Sequence, residues 1–276
     1  MLPLWRDQVL IVIAPTYISL VRLRGWFGKR QVIAKYSQKF SPAQDSQIIW
    51  QPGLEALAIC LRDSTWQKAS ARVVLTNSLV RFTLLPWSDA ILSPVEEQKF
   101  VKFRMDEVFG VTEQQLEISL AAKDYGHSRL ACAVDADLLS SLRQLALKSH
   151  LRIQSIQPHF IAALNFWREE LKGEQLHFLL SDGEKLGVTY IKDGHIQSLR
   201  LAQMDGVLSD EMVIASLQRE NLMNHQSNIA IQAYLFTSEK TSLTRSAHTP
   251  YKLQYLNLPS NYMNRPAAFL AVAPLI

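Results

Sequence analysis

Cysteine is almost missing from this chain. Two occur among 276 residues, Cys60 and Cys132, far apart and in neither a Cys-x-x-Cys pair nor a Cys/His cluster. A disulfide framework and a structural zinc module of the usual spacing are therefore excluded. Both cysteines fall in apolar patterns (Leu57, Cys60, Leu61 and Leu130–Val134) and read as reduced core residues, which fits a reducing compartment. Long apolar runs are missing too. The longest, Val9–Pro15, is strand-sized and falls well short of the ~20 residues that span a bilayer. Residues Met1–Asp7 lack the basic and apolar regions of a secretory leader. Charge of one sign is scarce: 29 Lys and Arg against 25 Asp and Glu leave +4, and the basic residues are scattered, unlike the clustered stripe of a nucleic-acid binder. The seven histidines (His127, His150, His159, His177, His195, His225, His248) show no HExxH or paired ligand spacing, so no metal site is expected. No Gly-x-Ser-x-Gly elbow, Walker A loop or Rossmann fingerprint is present.

What is present is ordinary globular material, 48% hydrophobic, at a length that predicts two domains. The first half opens with three strands, Gln8–Ala14, Tyr17–Arg24 and Arg30–Phe40, joined tightly as a meander. A helix over Gly53–Ser64 follows, with Leu54, Leu57, Ala58 and Leu61 on one face, then strands Arg72–Thr76 and Leu79–Leu85. Ser93-Pro94, with Glu96 and Glu97 behind it, predicts a capped helix running to Phe109 and stopped by Gly110. Strands at Leu116–Ala121 and Arg129–Val134 flank a turn at Asp124-Tyr125-Gly126. A helix over Ala136–Ser149 and a strand at Leu151–Gln157 complete a β-α-β reading whose strands should be parallel neighbours. Pro158 then opens a helix over His159–Leu171.

A composition break at Lys172-Gly173-Glu174 precedes a second meander: Gln175–Leu180, Lys185–Ile191 and His195–Leu201. Its hairpins carry Asp182-Gly183 and Asp193-Gly194, strong hairpin signals. A helix over Ser209–Asn221, strands at Asn228–Phe236 and Tyr251–Leu256, and a short apolar element at Pro266–Val272 follow. The second half thus repeats the order of the first without detectable identity.

Two successive β-β-β-α-β units resemble the ground plan of the actin-like (RNase H-like) ATPase fold. The likeness is sharpest within Arg72–Trp167. "LVRFTLLPW" followed by "SPVEEQKFVKFRMDEVFG" is similar to the cytoplasmic domain of type II secretion protein L. "SRLACAVDADLLSSLRQLALKSHLRIQSIQP" is similar to the matching stretch of that family and of PilM, the type IV pilus assembly family. The resemblance implies an α/β fold of duplicated βββαβ domains: 1–172, with a small subdomain inserted at about 86–130, and 173–276. It also implies a cytoplasmic scaffold, peripheral to the inner membrane through its partners. Those partners would be a small bitopic inner-membrane protein and a motor ATPase.

Actin-like ATPases hold phosphates in two hairpins, using glycine for close approach and an Asp to organise a metal. In the first hairpin this chain has Ala14-Pro15-Thr16-Tyr17, with no glycine, no carboxylate and one backbone donor removed by proline. In the second, Asp182 and Gly183 are vestigial phosphate-loop candidates, although a turn selected for positive φ is the better account of them. Where an adenosine loop would follow the strand Asn228–Phe236, the chain reads Thr237-Ser238-Glu239-Lys240. No ATP hydrolysis and no cofactor are expected; the alternative is a nucleotide-binding ATPase or sugar-kinase-like enzyme of the same fold. The carboxylates Glu96, Glu97, Asp106 and Glu107 read as a solvated helix face, with pairs such as Lys102–Asp106. Candidate partner contacts are Trp87, beyond Pro86 at a strand end, and the hairpin-tip aromatics Trp26 and Phe27.

Overall fold

The computed structural model of the chain describes residues 7–26, 29–41, 48–89, 93–110, 116–122, 124–204, 206–224, 231–237 and 251–258. Two compact units emerge. One takes its described residues from Met1–Val80 and Asp137–Arg168, with Leu258, and the other from Arg81–Ala136 and Glu169–Asn257. The junction at Arg168–Glu169 lies close to the composition break at Lys172, but the segment inserted in the first half groups with the second. The short apolar element expected at Pro266–Val272 lies outside the described residues.

The first unit is built on a five-stranded sheet ordered β3-β2-β1-β4-β8. Strand β1 (Gln8–Ile13) is buried at every position, as its unbroken apolar run requires when both sheet faces are covered. It pairs antiparallel with β2 (Tyr17–Trp26), which pairs antiparallel with β3 (Lys29–Lys39). Strand β4 (Ser70–Leu75) lies parallel to β1, and β8 (Arg152–Pro158) parallel to β4. One face joins Leu10, Val12, Val21, Leu23 and Val74 to Ala162 of helix α4 (His159–Trp167). On the other face helix α1 (Gln51–Cys60) brings Gly53 against Ile13. Helix α3 (Ala136–Lys148) buries Leu138, Leu139, Leu142 and Ala146 in one stripe. Strand β3 alternates between half-buried and exposed positions and carries Lys35 and Lys39, charges that discourage further pairing at an edge.

The second unit contains a sheet of the same order and the same strand directions, β11-β10-β9-β12-β13. Strands β9 (Gln175–Ser181), β10 (Lys185–Lys192) and β11 (His195–Gln203) form the antiparallel meander. Strands β12 (Gln232–Thr237) and β13 (Lys252–Tyr255) add in parallel. Helix α5 (Asp210–Met223), capped by Ser209, packs Val213 and Leu217 onto Leu179, Val188, Ala233 and Leu235. The duplication expected from element order is therefore present strand for strand.

The inserted segment forms a third, antiparallel sheet ordered β5-β7-β6, from β5 (Arg81–Leu85), β6 (Leu116–Leu120) and β7 (Arg129–Asp135). Helix α2 (Pro94–Phe109) lies on it through Val101 and Met105, against Leu85, Ala131 and Ala133. Its start is the expected capping box: Ser93 Oγ accepts from the Glu96 N–H at 3.2 Å, and the Ser93 N–H donates to Glu96 Oε2 at 3.0 Å. Gly110 closes it, its N–H donating to the Asp106 carbonyl at 2.7 Å.

Strands β7 and β8, expected as parallel neighbours, do not pair, because β7 is held between β5 and β6 while β8 pairs with β4. The order of β, α and β is as expected, but β7 finds its antiparallel partners within the insertion. The inserted sheet consequently spans 81–135, wider than the expected 86–130.

Candidate partner-binding site

The two hairpins that would carry phosphates in an actin-like ATPase are closed by different means. The β1–β2 turn is held by the Ala14 N–H donating to the Tyr17 carbonyl at 3.0 Å, while the Phe40 N–H donates to the Thr16 carbonyl at 2.8 Å. The α1 backbone closes on this turn: a Cβ at Gly53 would lie 2.9 Å from the Ala14 carbonyl oxygen. In the β9–β10 turn, Asp182 is buried and its Oδ1 accepts from the Lys185 N–H at 2.8 Å and the Glu184 N–H at 3.2 Å. Gly183 has φ +87°, where a side chain would be strained. Asp182 and Gly183 thus shape their own turn, as an Asp-Gly hairpin does. The segment 238–240 lies outside the described residues.

Trp87 follows β5 and is half-buried. Its indole Nε1–H donates to Asp89 Oδ1 at 3.1 Å, and its ring meets that of Tyr125 edge-on at 4.8 Å. Tyr125 itself is 81% exposed. Beside the indole is a recess lined by Leu85, Pro86, Phe100, Glu97, Arg129 and His127. Two of its lining residues form an ion pair, Arg129 to Glu97 Oε1 at 2.5 Å, and the Arg129 Nε–H donates to the Ala121 carbonyl at 2.5 Å. An aromatic ring beside a partly buried guanidinium–carboxylate pair suits contact with an apolar side chain flanked by a peptide backbone. The carboxylates of α2 divide accordingly: Glu96 caps, Glu97 holds Arg129, and Glu107 pairs with Arg104 at 2.6 Å. Of the other aromatic candidates, Trp26 ends β2, its side chain outside the described set, and Phe27 lies outside the described residues altogether.

Sequence spacing did not reveal one further grouping. His127 and His195 stack face to face, ring centroids 3.5 Å apart and planes within 5°, and Asp124 Oδ2 stands 3.5 Å from His195 Nδ1. Asp124 and His127 belong to the β6–β7 connection, and His195 opens β11 some 70 residues later. The contact of β11 with β5 brings them together. Cys60 is buried, as its apolar pattern predicts, whereas Cys132, in β7, is only half-buried. Burial, with the nearby Asp63 carboxylate, pushes the Cys60 thiol up to about 11, and burial raises that of Cys132.

No known family's sequence profile matches the chain, and no curated protein matches it in sequence. Solved structures do match in shape. The cytoplasmic domain of EpsL, an inner-membrane component of the type II secretion system of Vibrio cholerae, aligns over 97% of this chain and 95% of its own, at 12% identity and a TM-score of 0.60. PilM, in the PilM–PilN type IV pilus biogenesis complex, aligns over 97% of both chains at 12% identity and a TM-score of 0.64. The fold is actin-like. A Bacteroides thetaiotaomicron protein with an actin-like ATPase fold and unknown function also aligns, over 86% of this chain and 83% of its own, at 9% identity and a TM-score of 0.57. Within this actin-like fold, the two hairpins described above occupy equivalent places in the two duplicated sheets, at the β1–β2 and β9–β10 turns. Among the described residues no helix is long and apolar enough to cross a membrane.

Proposed function

We propose that this chain is a non-catalytic adaptor of a type IV pilus or type II secretion-like inner-membrane platform, working on the cytoplasmic side. It holds a cytoplasmic segment of a small bitopic membrane protein, with a motor ATPase as a second partner. The observation that carries this reading is the near full-length match in fold to two such components, one of them solved in complex with PilN. Two features of the chain support it. The first hairpin, Ala14-Pro15-Thr16-Tyr17, offers neither glycine nor carboxylate to a triphosphate and its metal. The Trp87 recess offers an aromatic anchor point beside a fixed ion pair.

The adaptor reading predicts no stabilisation by Mg-ATP, whereas a ligand at 100 times its dissociation constant would add ~2.7 kcal/mol. A thermal shift of that size, or steady phosphate release, would replace the adaptor reading with the enzymatic one. Affinity capture from solubilised inner membranes should recover a single-span protein. Recovery of soluble proteins only would count against it.

A further inference from the structure

We propose that Asp124, His127 and His195 form a binding site for a zinc-class divalent transition-metal ion within the second unit. Two turns present the three side chains. Asp124 and His127 stand at the ends of one, closed by the His127 N–H donating to the Asp124 carbonyl at 3.3 Å. His195 follows the tight Asp193-Gly194 turn between β10 and β11 and is the first residue of its strand. One ligand atom from each residue lies within 4.8 Å of the others. All three are at the surface or half-buried, so an ion can reach them.

The donor set determines which ion fits. Two imidazole nitrogens and one carboxylate oxygen suit zinc, cobalt, nickel or copper; magnesium and calcium call for oxygen ligands throughout. A tetrahedral site with metal–nitrogen bonds of ~2.0–2.1 Å places neighbouring ligand atoms roughly 3.3 Å apart. The His195 Nδ1 to Asp124 Oδ2 distance, 3.5 Å, is already near that value. The His127 and His195 rings are parallel, and lone pairs in parallel planes do not converge. Binding therefore requires the two rings to tilt apart, by rotation about their side-chain bonds at these half-buried positions. Three protein ligands leave one position for water or for a group supplied by a partner.

The site links two segments otherwise far apart in sequence, the β6–β7 connection of the inserted sheet and the β10–β11 hairpin of the five-stranded sheet. A bound ion would thus fix the loop that carries Tyr125, against which Trp87 packs edge-on. Metal binding here needs only the geometry of the three side chains and does not depend on the adaptor role.

The test uses the full chain, free of any polyhistidine tag, titrated with Zn2+ against a chromophoric chelator. One equivalent should bind, and excess Mg2+ should not displace it. Loss of outer-sphere partners alone costs ~10–100-fold at metal sites, so His127→Gln or His195→Gln should weaken binding by roughly a hundredfold or more. Asp124→Asn should weaken it as well. In parallel, zinc should abolish the mutual ring-current shift of the His127 and His195 imidazole proton resonances. Absence of stoichiometric binding, or binding kept by the His127→Gln/His195→Gln double variant with unchanged circular dichroism, would overturn the proposal.

Discussion

Gly53→Ala is a one-methyl perturbation whose outcome can be worked from two distances. In most helices the change stabilises, because glycine costs ~1 kcal/mol relative to alanine. Here the added Cβ would lie 2.9 Å from the Ala14 carbonyl oxygen and 3.1 Å from Ile13 Cγ2. Neither neighbour can yield cheaply. Ile13 is completely buried, and the Ala14 backbone is tied into its turn by the bond to the Tyr17 carbonyl. Overpacking of this kind costs about 1–3 kcal/mol and exceeds the propensity gain, which is small in the first helical turn. We expect a net loss of about 1–2 kcal/mol, enough at an ordinary urea m-value to lower the midpoint by roughly half a molar or more. Urea unfolding followed by tryptophan fluorescence reports mainly on the unit concerned, since among the described residues Trp26, Trp50, Trp66 and Trp167 fall in its segments and Trp87 in the other's. Ile59→Ala, on the exposed face of the same helix, should change stability by no more than ~0.5 kcal/mol and serves as the control. A Gly53→Ala protein as stable as the parent, or more so, would refute the close approach of α1 to the β1–β2 turn.

His177 is completely buried, and desolvation holds its imidazole below the ordinary 6.5, although the Asn221 side chain, Glu220 and the Thr189 backbone act in the opposite direction. The unfolded chain then takes up the proton first, so its stability contribution is complete above pH 6.5 and is lost as the pH falls below it through the folded-state value. His177→Gln should flatten the stability profile in that acid window in urea titrations; identical slopes for both proteins would contradict the burial argument. Cys60, with its thiol at about 11 against the ordinary 9.0, should react with a thiol reagent at pH 8 about two orders of magnitude more slowly in the folded than in the unfolded chain. Equal rates would show the thiol to be accessible. Trp87→Ala should cost about 2 kcal/mol or more of affinity for the partner segment while leaving the fold intact, measured by calorimetric titration. Unchanged affinity would remove Trp87 from the interface.

Much of this architecture was legible in the residues because local signals agreed with one another. The unbroken apolar run of β1 is buried on both faces, Ser93 and Glu96 cap α2 reciprocally, and Asp182-Gly183 makes the turn its composition demands. The pairing of β7 was not legible. Its sequence satisfies any sheet that buries Leu130, Ala131 and Ala133, and nothing local distinguishes β5 and β6 from β8 as partners. The Asp124, His127 and His195 grouping was hidden for a related reason, since it depends on a contact between segments about 70 residues apart. The Asp-x-x-His spacing of Asp124 and His127 was the only signal, and a polar pair at that spacing is equally at home in a turn that binds no ion. Trp87 is half-buried at a strand end, as its place after Pro86 suggests, whereas the ion pair lining its recess joins α2 to β7 and leaves no mark in the local sequence.

The adaptor role is tested most directly by calorimetric titration of the full chain with a synthetic peptide spanning the cytoplasmic segment of the single-span membrane protein recovered with it. Saturable one-to-one binding is predicted, the same with and without Mg-ATP and weakened by Trp87→Ala. Heat from turnover of ATP, or a peptide that fails to bind at any ATP concentration, would contradict it.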